Sequence, residues 1–146
     1  MNFSQNINLN ITHNQDYKIL NVTIKNKITN NDVHTTIIMI QNFFDNCKQN
    51  NIKFSWVWDL KELQEIPIIA LEVFSKFCKT NYPTIKEHLI CSCLVSNEGL
   101  FKKFFGLFTK LYEPTKPLKN FLNVEECQDF IKDCVNEKYK NDTIIY

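Results

Sequence analysis

Residues 89–95 read Leu89-Ile90-Cys91-Ser92-Cys93-Leu94-Val95. Ser92 is the lone hydroxyl; the free thiols count as small hydrophobes. A strand with one wet face would alternate apolar and polar residues. A run this continuous suits a strand covered on both faces, near the centre of a parallel sheet. The segments on either side must then supply its neighbours and its cover.

Toward the N-terminus, Tyr82-Pro83 marks a break. Before it, Ile68, Leu71, Phe74 and Cys78 form the inner stripe of a helix with Pro67 in its first turn. Phe54-Ser55-Trp56-Val57-Trp58 is a buried aromatic and β-branched strand closed by Asp59, and Leu60 to Ile66 is a loop. Val33, Ile37, Ile40, Phe44 and Cys47 fall on one stripe of an earlier helix, which Asn30 or Asn31 can cap, with Asp32 at its positive end. Ile7, Leu9 and Ile11, then Leu20, Val22 and Ile24, alternate with polar residues around the turn His13-Asn14-Gln15-Asp16. They read as an antiparallel hairpin. Toward the C-terminus, Asn97 caps a helix from Leu100 to Tyr112 that Pro114 and Pro117 close, and Lys119 to Leu122 is a short strand. Asn123 and Glu126 have capping-box spacing ahead of a stripe of Val124, Cys127, Ile131, Cys134 and Val135.

The element order is β-β-α-β-α-β-α-β-α. Strict alternation after the hairpin predicts an α/β fold with a five-stranded, mixed but mainly parallel sheet and four helices. Residues 1–139 are expected to form a single domain, with 140–146 a flexible tail.

Composition excludes several functions. With 146 residues and 44% hydrophobic content the chain suits one ordinary core. Only two glycines are present, so no phosphate-cradling glycine loop can be built. All 17 Lys-plus-Arg positions are Lys and the net charge is +1, which removes the main bidentate reader of guanine and argues against nucleic acid. Five of the six cysteines lie in apolar stripes or strands. That placement argues for reduced core thiols, hence a reducing, cytoplasmic setting. The first residues show no signal-peptide pattern, and no apolar run reaches membrane-spanning length.

Chemistry-bearing groups are sparse. Asp59 ends a strand where α/β proteins place ligands, yet no second acid, base or nucleophile has mechanistic spacing, so no enzyme is expected. Cys91 and Cys93 share a strand face, but two thiolates do not complete a zinc site, and no metal or other cofactor is expected. Trp56 and Trp58 share a face, either as core or as the wall of a ligand pocket. Along the 100–112 helix, the aromatic and leucine side chains fill an arc of about 160° at 100° per residue. Its outer rim is Phe101, Phe105 and Tyr112. The rim suits a broad core stripe, a groove for a protein partner or second copy, or contact with lipid or a membrane surface.

Asp59-Leu60, Leu63 and Ala70-Leu71, with Leu111-Tyr112-Glu113-Pro114-Thr115-Lys116-Pro117 before a short strand, complete a likeness. Together with the element order they resemble the STAS/SpoIIAA-like fold, which is shared with lipid-binding CRAL-TRIO domains. In bacterial switch proteins of this group the serine that opens a helix is phosphorylated. Here Ile68 and Ile69 stand at those positions and Pro67 at the preceding Asp, so the resemblance does not carry the phosphoswitch over. It implies a docking surface at the 60–69 loop and helix start, with Leu63, Gln64, Glu65, Ile66 and Ile69 as candidates alongside Phe101, Phe105 and Tyr112. The expected function is non-enzymatic binding of a protein partner, with lipid or apolar-ligand binding as the alternative.

Overall fold

The computed structural model describes residues 6–136 and 144–145, with the side chains of Glu98, Phe101, Ile144 and Ile145 excepted. Strands β1 (Ile7–His13) and β2 (Tyr17–Ile24) form the antiparallel hairpin. Then follow α1 (Asn30–Gln49), β3 (Lys53–Asp59), α2 (Ile68–Thr80), α3 (Tyr82–His88), β4 (Leu89–Val95), α4 (Glu98–Phe108), β5 (Leu118–Phe121), α5 (Glu125–Val135) and β6 (Ile144–Ile145). The strands lie side by side in chain order, and every pair after the first is parallel. The mixed, mainly parallel sheet is therefore the expected one, and a two-residue sixth strand extends its edge. Apart from Ile144 and Ile145, the expected tail lies outside the described residues.

Strand order dictates where the helices go. From β2 to β5 each parallel crossover steps the same way across the sheet, so right-handed connections put α1 to α4 on one face. That face carries the larger core, with Ile40, Phe43 and Phe44 of α1, Leu71, Phe77 and Cys78 of α2, Ile85 of α3 and Phe108 of α4. Helix α5 follows the last long strand and packs on the opposite face through Cys127, Phe130 and Ile131. The period-two pattern sorts β3 between the two cores. Phe54, Trp56 and Trp58 face the four helices, while Val57 faces α5.

Four local details differ from the sequence expectation. The cap of α1 is Thr29, not Asn30 or Asn31. Its hydroxyl accepts from the Asp32 backbone N–H at 3.1 Å, and the Asp32 carboxylate accepts from the Thr29 N–H at 2.8 Å, a reciprocal box that Asn30 is not spaced to make. Tyr82-Pro83 opens the short helix α3 instead of only breaking the chain, because proline is tolerated in a first turn. Helix α4 stops at Phe108, where the Thr109 hydroxyl bonds back to the Phe105 carbonyl at 2.8 Å. Ile68 was expected on the inner stripe of α2 but is 67% exposed; the helix begins beside it and buries Leu71, Phe77 and Cys78.

Candidate functional site

The sheet face under α1–α4 is paved with rings. Trp56 and Trp58 meet edge-on at 5.5 Å between ring centroids, and Phe74 of α2 stands 5.6 Å and 5.0 Å from them. Phe108 of α4 lies 5.4 Å from Phe74, with Phe104 and Tyr112 continuing the row. The Trp56 indole N–H donates to the Ser92 hydroxyl, which fixes the larger ring against β4. Rings meeting at tilted and perpendicular angles do not fill the layer. They leave an apolar cavity of about 120 Å³.

That cavity runs the length of the sheet. At the carboxyl ends of the strands its wall is Leu60, Leu63 and Ile66; at the amino ends it is Ile85, Leu89 and Lys116. The five steps of β4 from Leu89 to Leu94 span about 17 Å. Among its lining atoms, one polar group stands out. The Tyr112 hydroxyl is buried and makes no hydrogen bond of good geometry. Burial, together with Cys78, pushes its pKa up to about 12, and the nearby Thr115 side chain opposes the rise without forming such a bond.

The 60–69 loop is the upper rim of the cavity. Asn26, at the positive φ of 57° that Asn tolerates, sets its backbone beside Leu63 in a parallel bridge. The Asn26 N–H donates to the Glu62 carbonyl at 2.8 Å, and the Gln64 N–H donates to the Asn26 carbonyl at 3.0 Å. The Leu60 N–H donates to the Val95 carbonyl at 2.8 Å. Held at both sides, the loop turns Leu63 and Ile66 inward. Gln64 and Glu65 remain exposed, and Ile69 is 41% exposed beside Ile68. Asp59 is occupied locally: its carboxylate accepts from the Lys61 N–H at 3.2 Å and lies 3.8 Å from the Lys61 ammonium.

The candidate residues thus separate into two groups. Leu63, Ile66 and Tyr112 line the cavity, and Phe105 is half-buried against the same core. Gln64, Glu65 and Ile69 face outward. The Phe101 side chain lies outside the described residues. Sequence reasoning passed over Phe74, Phe108 and Lys116 as site residues. The shared face of Trp56 and Trp58 was the one signal that pointed at this wall.

On the opposite face the thiols gather. Cys91 and Cys93 of β4 meet Cys127 and Cys134 of α5. Cys91 hydrogen-bonds with Cys134 and Cys93 and lies 3.4 Å from the Ser55 hydroxyl, and these contacts lower its pKa. Cys134 is pushed up by its bond to Cys91 and by burial, and Cys93 by its bonds to Cys127 and Cys91 and by burial. All six cysteines are free thiols. Among the described residues no group of three or more His, Cys, Asp or Glu is placed to hold a metal ion, and no helix is long and apolar enough to cross a membrane.

No family model matches the chain, and no curated protein matches it. Among solved structures it is similar to an uncharacterized protein of the DUF3478 family with a SpoIIAA-like fold from Shewanella loihica PV-4. The TM-score is 0.64 at 14% identity, over 90% of this chain and 98% of that one. Identity at that level speaks to architecture alone, and it agrees with the strand order and helix placement described above: the chain has a SpoIIAA-like α/β fold.

Proposed function

We propose that the protein is a non-catalytic binding module whose ligand is an apolar molecule held between the sheet and α2 and α4. The observation that carries this reading is the ring-lined cavity. It is apolar along nearly its whole wall, and it is roofed by a loop that backbone hydrogen bonds hold in place. Preformed apolar pockets with few polar groups are the usual form of a small-molecule site. An apolar cavity of this order stays dry and takes up small apolar molecules. Both tryptophans of the chain line the cavity, so their emission reports occupancy directly. Titration with decanol should shift that emission saturably and raise the melting temperature. Unchanged emission and melting temperature at the solubility limit of decanol would refute the proposal.

A second reading, a protein-docking surface at the start of α2, is favoured by one observation. Ile68 and Ile69 are exposed side by side, next to Gln64 and Glu65 and beside a helix start with no side-chain cap. Either a different protein or a second copy of the chain would suit it. Sedimentation velocity of the wild type against Ile69→Asp tests self-association, and a pull-down with the same pair tests a heterologous partner. Equal behaviour of the two proteins in both assays would remove this reading. A reducing, cytoplasmic setting fits either function, since Cys47, Cys78, Cys91, Cys93 and Cys127 are buried as core residues.

A further inference from the structure

The amino ends of β3, β4 and β5 lie along one edge of the sheet because these strands are parallel. Three lysines are delivered to that edge by three separate segments. Lys53 opens β3, Lys86 sits in the last turn of α3 just before β4, and Lys116 lies two residues ahead of β5. Lys116 is half-buried and forms part of the cavity wall with Ile85 and Leu89. Among the described residues, none of the three lysines makes an ion pair. The unpartnered Tyr112 hydroxyl belongs to the segment that connects α4 to this same edge, near Cys78 at the end of α2.

This is an uneconomical arrangement for an empty protein. Like charges brought together at the mouth of a low-dielectric space destabilise one another. Burial, then Lys53 and Lys86, push the Lys116 ammonium below the usual lysine value. An anion placed among the three would remove the repulsion. An apolar tail attached to it would enter the cavity along β4. A cavity of about 120 Å³ encloses only part of one such tail and leaves no room for a second.

We infer that the ligand is a single-chain amphiphile with an anionic head, seated on Lys53, Lys86 and Lys116 with its chain running toward Leu60 and Leu63. The inference rests on the reading that the cavity binds an apolar molecule, and it adds the head group and the direction of entry. The head lies at the amino edge of the sheet, opposite to the carboxyl edge where open α/β sheets usually hold their ligands.

The test compares decanoate, decyl phosphate and decanol, which share a chain and differ in the head. Emission from Trp56 and Trp58 in the full chain is the readout. The two anions should bind at least about tenfold more tightly than the alcohol, the equivalent of one charge-assisted hydrogen bond. Lys116→Met should lower the affinity for both anions about tenfold more than it changes that for decanol. Decanol also reports whether the variant is folded; if it is not, the exposed pair Lys53→Gln and Lys86→Gln is used with the same expectation. The order of decanoate and decyl phosphate tells a carboxylate head from a phosphate. Decanol binding as tightly as the anions would overturn the inference while the cavity reading stands, and so would Lys116→Met weakening all three alike. No response to any of the three compounds would overturn both.

Discussion

Filling the cavity from α2 tests whether the space between the rings is a real void. Ala70 lines it from the first turn of α2. Alanine and leucine are both strong helix formers, so Ala70→Leu changes the packing and little else. The magnitude follows from the volume. At about 24 cal/mol per Å³, a void of 120 Å³ costs the empty protein up to about 3 kcal/mol. The three added carbons, at about 0.8 kcal/mol each when buried, recover at most about 2 kcal/mol of that. Specific unfolding entropies imply a shift of about 3 °C per kcal/mol for 146 residues, so the melting temperature should rise by about 3–6 °C. Decanol binding should weaken at least tenfold in the same variant, because ligand and side chain compete for one space. Thermal unfolding followed by circular dichroism gives the first number and tryptophan emission the second. A melting temperature that falls by more than about 3 °C would mean the layer is already full and the substitution overpacks it. An unchanged affinity for decanol would mean that any binding takes place elsewhere.

Other consequences can be checked on the same protein. Phe74→Ala removes the ring that touches Trp56, Trp58, Phe77 and Phe108, and should cost about 3–4 kcal/mol in urea denaturation. Thr29→Ala deletes the hydroxyl half of the α1 capping box and should cost about 1 kcal/mol by the same measurement, with Thr29→Ser restoring most of it. Alkaline stability follows from groups whose pKa is raised in the fold: burial raises Cys47 and Cys78, and burial foremost raises Tyr112 to about 12. The folded state therefore keeps protons that the unfolded chain releases, so this stability is intact below about pH 9 and declines as pH rises beyond it. Tyr112→Phe should flatten the part of the decline between about pH 10 and 12 in equilibrium unfolding; an unaltered profile would contradict the burial of the phenol. With a thiol reagent under native conditions, Cys134 should react first, being half-buried where the other five are buried, and all six should react in urea.

The fold was legible because its signals are local. The unbroken apolar run of β4, the hairpin alternation and the helical stripes each sit within about ten residues, and the crossover rule turns their order into a sheet. The site was legible only in part. An arc of about 160° on one helix is what a core stripe and an exposed face both look like from the sequence. Phe74, contributed by α2, meets Phe108 and covers that part of the arc. The 60–69 loop was read as a docking loop from the resemblance, and nothing within it announces Asn26, more than thirty residues earlier, as its anchor. The lysines illustrate the limit most clearly. Lys53, Lys86 and Lys116 form no motif at any spacing, and only the parallel register of three strands makes them neighbours.

The two faces of the sheet show how a period of two in one strand can assign different work to each side. Along β3, Phe54, Trp56 and Trp58 point one way, and Ser55 and Val57 the other. Along β4, Cys91, Cys93 and Val95 join the small-residue side. Small side chains let α5 approach closely, and that seam is buried almost completely, with Cys91, Cys93, Val95 and Ile131 at 0% exposure. Large flat rings hold α2 and α4 off the sheet, and rigid rings cannot flow into the gaps they create. A void on the aromatic face and a sealed seam on the thiol face are then two results of one alternation. The apolar cavity lies under α2 and α4, whereas the thiol seam under α5 is sealed. Replacing Val57 by a ring should therefore displace α5 and open no binding site, whereas shrinking Phe108 should enlarge the existing one and extend the range of chains that bind.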